Sequence, residues 1–379
     1  RTMMLLMTVN LAFTFPMSVF GSIIVAYEDF VFQKLVNITR IILNPLVMIA
    51  MLMLGYRAIG MTVITTLFNV VTLLVNCWYC FHKIHIRIYF GHFKWGFLKE
   101  VSIYSFWIFL NAIMDRIYWS SGQFILGMYK GAVAVAVYAV AIQLQGIYMS
   151  FSTAISGVFL PKVTAMVAKE NNEKAISDLF IRMGRIQYAI MAFILTGFIL
   201  FGKVFIYFWA GSDYDEAYYI ALLFFIPLTI PLIQNLGIII LQARNQMRFR
   251  CVLYVVIAFV SLGISIPLAR LYGGIGCALG TVFALVVGQI IAMNIYYHRR
   301  IHIDIVRFWK EIFRMSLVPI LLGGVGYCFL NMITLTNAWE LGLAILLFSL
   351  IYVPLFWYMG LNGYEQSLFR EPLKRLLKI

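Results

Sequence analysis

The chain has 379 residues, of which 63% are hydrophobic and only 12% charged, with a mean hydropathy of +0.93. A soluble domain is nearer half apolar and a quarter charged, so a soluble fold is excluded; the apolar residues fall in continuous runs of about 20 and do not alternate, so a β-barrel is excluded too. The net charge of +14 calls for no nucleic-acid partner, because Lys and Arg gather in the cytoplasmic loops of polytopic membrane proteins.

In chain order the runs predict eleven spanning helices, at 3–25, 35–54, 59–81, 101–127, 132–160, 186–208, 218–241, 251–269, 276–297, 315–331 and 339–360. The segments between them alternate in charge. Those at 26–34, 82–100, 161–185, 242–250, 298–314 and 361–379 hold 22 Lys and Arg, whereas the opposite set holds only Arg57, Lys130 and Arg270. The asymmetry places the first set, and with it the C-terminus, in the cytoplasm, since one missed or extra helix would scramble the alternation. Pro161–Arg185 reads as an amphipathic basic helix on the cytoplasmic surface, near anionic lipid. On the other side the most polar loop, 209–217, carries Asp213, Asp215 and Glu216 as a solvated acidic loop without calcium-loop spacing.

Pro16, Pro45, Pro227, Pro231, Pro319 and Pro354 fall inside spans, where each removes a backbone donor and bends the helix. Pro227 and Pro231, followed by Gln234, Asn235 and Gly237, make 218–241 the expected bending element. Cys77, Cys80, Cys251, Cys277 and Cys328 lie within or at the ends of apolar runs and offer no disulfide framework. Cys77, Cys80, His82 and His85 are too compressed in spacing for a structural zinc site. No Ser/His/Asp arrangement and no glycine-rich phosphate loop appears, so neither an enzyme nor a cofactor is expected.

A repeat is visible. Phe13-Thr14-Phe15-Pro16 matches Leu228-Thr229-Ile230-Pro231, Ala58-Ile59-Gly60 matches Gly274-Ile275-Gly276, and Ile84-His85-Ile86 matches Ile301-His302-Ile303, at offsets of 215, 216 and 217. Six helices separate the paired elements, so both copies run the same way, related by an axis along the membrane normal. The second copy occupies 98–300; the first is represented by its last three helices at 1–97; residues 301–379 add two helices and a basic cytoplasmic tail. The expected parent has fourteen helices, in groups of six, six and two, with three of them preceding Arg1.

The chemistry-bearing stretch is Asn111–Gln145. Asp115 and Arg116 stand in mid-span, where a charge costs a few kcal/mol or more, so such residues face a protein interior or a hydrated cavity. Helical spacing puts Asn111, Asp115 and Tyr118 on one face and Arg116, Ser120 and Gln123 on an adjacent one. The next helix adds Gln143, Gln145, Tyr148 and Ser150. These donors and acceptors suit sugar hydroxyls and phosphate, so Asn111, Asp115, Arg116, Gln123 and Gln143 are expected to line a substrate path. The other reading is a structural Asp115–Arg116 pair. Arg40, inside the cytoplasmic end of 35–54, either meets a pyrophosphate or snorkels to lipid headgroups.

Asp115-Arg116, Gly127, Gly131, Tyr138-Ala139, Pro161-Lys162 and Ala243-Arg244-Asn245, with the order of the helices, carry a resemblance over nearly the whole chain. It resembles polysaccharide flippases of the Wzx type, in the multidrug/oligosaccharidyl-lipid/polysaccharide exporter superfamily. The resemblance implies an all-α, two-lobed membrane bundle of the MATE-like kind, around a central cationic cavity that alternates between inward-open and outward-open. It implies a cargo of undecaprenyl-pyrophosphate-linked oligosaccharide, moved from the cytoplasmic to the periplasmic leaflet of a bacterial inner membrane for O-antigen, lipopolysaccharide or capsule assembly. The partners would be that lipid-linked oligosaccharide, membrane lipids and other polysaccharide-assembly membrane proteins; H+ or Na+ coupling is left open. Arg116 would contact phosphate or an acidic sugar, and Asp115 would hold Arg116 or take part in ion coupling. The rivals are a cation-coupled multidrug exporter of the same superfamily, which favours an acidic cavity, and a membrane polysaccharide polymerase, which needs a large outer loop.

Overall fold

The computed structural model describes residues 2–27, 29–56, 58–86, 95–157, 163, 165–166, 173–330, 337–363 and 365–367, and all regular structure among them is helical. In hydrocarbon no water pairs with backbone groups, so a long apolar run satisfies them within itself as helix. The chain divides into two compact units, Arg1–Trp95 and Gly96–Ile379. The first holds α1 (Thr2–Ala26), α2 (Phe30–Met53) and α3 (Ala58–His82). Asn69 Nδ2 ties α3 to α1 by donating to Asn10 Oδ1 and Thr14 Oγ1, each at 2.8 Å.

The second unit begins with α4 (Trp95–Tyr129), α5 (Ala132–Gly157), α6 (Glu173–Ala210), α7 (Asp215–Ile233) and α8 (Leu236–Ala243). It continues through α9 (Met247–Leu285), a π-helical turn Val286–Ala292, α10 (Met293–Arg299), α11 (Ile305–Leu330) and α12 (Ala338–Met359). Helix thus occupies the described part of all eleven expected intervals, give or take their ends. Among the described residues, nine helical stretches are long and apolar enough to cross a membrane, and Met247–Arg299 is one of them. That stretch is a hairpin and not one rod. It folds back at Gly273, where φ is 61° and ψ −134°, a conformation a side chain would oppose. Its arms then touch: a Cβ on Gly280 would stand 2.6 Å from the backbone N of Ser265, and one on Gly288 would run into Ile257 Cδ1. Small residues let transmembrane helices approach this closely.

The expected bend between 218 and 241 is a break. α7 stops at Ile233 and α8 restarts at Leu236. Pro227 and Pro231 carry no N–H, so two carbonyls one turn upstream lose their helical partners. Side chains cover the break: Ser152 Oγ on α5 donates to Leu232 O at 2.7 Å, and Asn235 Nδ2 donates to Ser156 Oγ at 2.9 Å. Ser152 is fully buried and also accepts from Gln187 Nε2 at 3.4 Å. Ser152→Val is therefore expected to destabilise the protein by about 1–3 kcal/mol, the cost of leaving buried polar groups unpaired. Equilibrium unfolding in detergent reads this, and an unchanged midpoint would show that the break needs no cover.

The amphipathic surface helix expected at 161–185 needs correction where it is described. From Glu173 onward the chain is already part of α6, which runs unbroken to Ala210. Arg185, counted above with the basic loops, is buried. Its Nε and Nη1 meet Glu365 Oε1 and Glu311 Oε2, each at 2.5 Å, and its Nη2 donates to Gly360 O at 3.2 Å. Apolar contacts of Met315, Val318, Tyr352 and Phe356 with Tyr188 and Phe193 extend this junction of α6, α11 and α12. Arg57, Arg87, Lys94, Pro161, Lys162, Lys169 and the basic tail Arg370 to Lys378 lie outside the described residues.

Candidate functional site

α4 presents two different faces. One is packed inside the second unit: Tyr118 Oη donates to Thr281 O of α9 at 2.6 Å, and the Tyr138 ring of α5 lies so close to Gly122 that a Cβ there would be 2.5 Å from its hydroxyl. The other is open, with Ile117 and Phe124 exposed. Neighbouring residues on a helix point about 100° apart, and Asp115 and Arg116 are divided by this boundary. Asp115 is half-buried, and Arg116 is exposed and has no hydrogen bond or ion pair among the described residues. The two do not hold each other.

The environment of Asp115 is set first by its partial burial and then by the charge of Arg250, with which it forms no ion pair among the described residues. Arg250 sits in the first turn of α9, only 8% exposed. Its Nη1 donates to Asn111 Oδ1 at 3.4 Å and its Nη2 to Tyr254 Oη at 3.0 Å, and its guanidinium lies 4.5 Å from the Tyr254 ring centroid. Asn111 Nδ2 donates to Trp107 O at 2.9 Å and contacts Cys251 Sγ. Asn111 is therefore committed to holding α4 against α9.

Beside Arg250 is a cavity of about 20 Å³ lined by Pro231, Gln234, Ile238, Tyr254, Gln289, Met293 and Tyr297. That volume admits about one water. The cavity joins the α7–α8 break, through Gln234, to the π-helical turn, through Gln289. Gln234 Nε2 donates to Asn294 Oδ1 at 2.9 Å, and Trp309 Nε1 of α11 donates to the same oxygen at 3.0 Å. A polar chain thus crosses the lobe where two helices depart from α geometry.

The remaining expected residues fall on surfaces. Gln123 is half-buried on α4, and Gln143 is exposed on α5; neither side chain has a partner among the described residues. Arg116, Ser120 and Gln123, at spacings of four and three, form one stripe about 10 Å long, with Arg116 exposed and the other two half-buried. Arg40 belongs to the first unit, half-buried on α2 ten residues from Phe30, about 15 Å along the helix. Sequence reasoning missed Arg250 because three basic residues lie together at 244, 248 and 250. The available signal was Tyr254, one turn on, with the ring placed to take a cation.

Residues 3–219 match the model of a family described as polysaccharide biosynthesis protein. Among solved structures the chain is similar to the lipid II flippase MurJ in its inward closed conformation, with a TM-score of 0.64 and 17% identity over 94% of this chain and 74% of that one. Likeness at that identity shows a shared fold. No curated protein matches the chain in sequence.

Proposed function

We propose, for a chain that belongs to the polysaccharide biosynthesis protein family, that it flips an undecaprenyl-pyrophosphate-linked oligosaccharide from the cytoplasmic to the periplasmic leaflet by alternating access. The carrying observation is the stripe of Arg116, Ser120 and Gln123 along α4: an exposed permanent charge beside two half-buried hydrogen-bonding groups, with the charge lacking a protein partner among the described residues. A guanidinium left so in hydrocarbon is costly, and a hydrated path with an anionic cargo removes that cost. Arg116 meets the phosphates, Gln123 and Gln143 the sugar hydroxyls, and Arg40 the pyrophosphate on the first lobe. Asn111 and Asp115 act one step back, Asn111 by fixing α4 on α9 and Asp115 through its charge. Residues 1–97 and 98–300 act as the two lobes, with 301–379 appended, in a bacterial inner membrane with the basic segments inside. The fold shared with the lipid II flippase MurJ supports a lipid-linked cargo, and the basic stripe favours it over a multidrug cation.

The test is leaflet exchange of a lipid-linked oligosaccharide by the full chain in proteoliposomes. Arg116→Ala is expected to slow exchange on the order of tenfold or more, the size of a lost charge-assisted contact. It should leave the unfolding midpoint unchanged, since Arg116 makes no hydrogen bond or ion pair among the described residues. Exchange at the original rate would remove Arg116 from the path.

A further inference from the structure

A second feature, separate from the stripe on α4, is a groove of about 860 Å³ at the basic end of the second unit. One wall is polar: Asn245, Gln246, Arg248 and Arg300. Arg248 is in the first turn of α9 and Arg300 is the residue closing α10, so both guanidiniums stand at the ends of a helical stretch long and apolar enough to cross a membrane, the level at which basic side chains meet lipid phosphate. Both are exposed, and neither has a carboxylate partner among the described residues. The facing wall is apolar, made by Val101, Ile103 and Ile108 of α4. Between them stand aromatic rings: Trp107, whose ring centre is 6.0 Å from the Arg248 guanidinium, and the Phe249–Tyr296 stack, with centroids 4.0 Å apart.

A free phosphate or a nucleotide has no use for the apolar wall, and an acyl chain alone has none for two guanidiniums. A ligand carrying phosphate next to hydrocarbon satisfies both. Two guanidiniums on one groove match two phosphates, and aromatic rings suit the level where headgroup meets chain. Basic pockets between transmembrane helices take such headgroups. We propose that this groove binds an anionic phospholipid of the resident membrane with two phosphates, of the cardiolipin type, at a site distinct from the cargo path.

Native mass spectrometry of the full chain in detergent, titrated with cardiolipin, tests this. The unaltered protein is expected to retain one cardiolipin more firmly than phosphatidylethanolamine, and the double variant Arg248→Gln/Arg300→Gln to hold it on the order of tenfold less tightly, since each surface guanidinium near lipid phosphate contributes modestly. Both side chains are exposed, so the variant should melt as the original does. Arg270→Gln, at the other end of the hairpin, should change nothing. Equal cardiolipin binding by the original and the double variant would overturn the proposal. So would displacement of cardiolipin by equimolar undecaprenyl pyrophosphate, which would reassign the groove to cargo, or by millimolar inorganic phosphate, which would remove the lipid requirement. Because binding is read without transport, loss of flipping elsewhere leaves this result standing.

Discussion

Arg185→Met is expected to destabilise the second unit by about 3–5 kcal/mol, the usual cost of removing one partner from a buried ion cluster. The guanidinium is shared by two carboxylates, and the burial is unequal: side-chain exposure is 4% for Arg185, 3% for Glu365 and 34% for Glu311. Without Arg185, Glu365 keeps the Asn362 N–H at 2.8 Å but loses its counter-charge in a place water does not reach. Glu311 can turn to solvent. Glu311→Gln is therefore expected to cost far less than Arg185→Met, and Glu365→Gln to fall between them. Unfolding of the purified protein in detergent ranks the three. In Arg185→Met the segment after α12 should also be cut faster by protease, because Gly360 O and Glu365 both anchor there through Arg185. A variant that melts and resists protease as the original does would mean that apolar contacts alone seat α11 and α12 on α6.

Asp115→Asn and Arg250→Gln are expected to be non-additive, with a coupling of about 0.5–1 kcal/mol, the low end of the range because the two charges act through space and form no ion pair. Each single change leaves one charge inside the lobe without the opposite charge it now senses. Arg250→Gln also strips Asn111 Oδ1 and Tyr254 Oη of a donor. Asp115→Asn leaves Arg250 with only neutral partners. The double variant holds neither charge, so the second change should cost less than it does alone. A four-point unfolding cycle measures this, and strict additivity would show that α4 and α9 do not communicate through these residues. The cycle also bears on function. If Asp115 positions α4 through Arg250, Asp115→Asn should alter exchange together with stability, whereas Arg116→Ala alters exchange alone.

The contrast between Asp115 and Arg116 shows where sequence reading stops. Two adjacent charges in an apolar run read as one unusual feature, and pattern could say only that they do not belong in lipid. The helix turns between them, so one goes to the interior and the other to an open face. Nothing within α4 selects which, because its buried face is set by Tyr118, Gly122 and Ile125 packing on other helices, Tyr138 on the next one and Thr281 far away in the chain. Arg185 and Arg250 make the same point. In sequence both stand among loop cations, and both are buried where distant groups meet them: Glu311 and Glu365 for the first, and Asn111 for the second, which also lies on the Tyr254 ring one turn along.

The sequence by itself determined the class of molecule and the helices that build it, because hydrophobic run length and the demand for internal backbone pairing are local and leave few alternatives. It also marked 218–241 as a bending element, since a proline's missing donor is a covalent fact, although the helix runs on through Pro227 and Pro231 and breaks only after Ile233. Only the tertiary structure decided which polar residues are held by protein and which stand open. That choice depends on contacts between helices more than a hundred residues apart, such as Asn111 with Arg250, and between helices small shape differences, not hydropathy, select the face that packs.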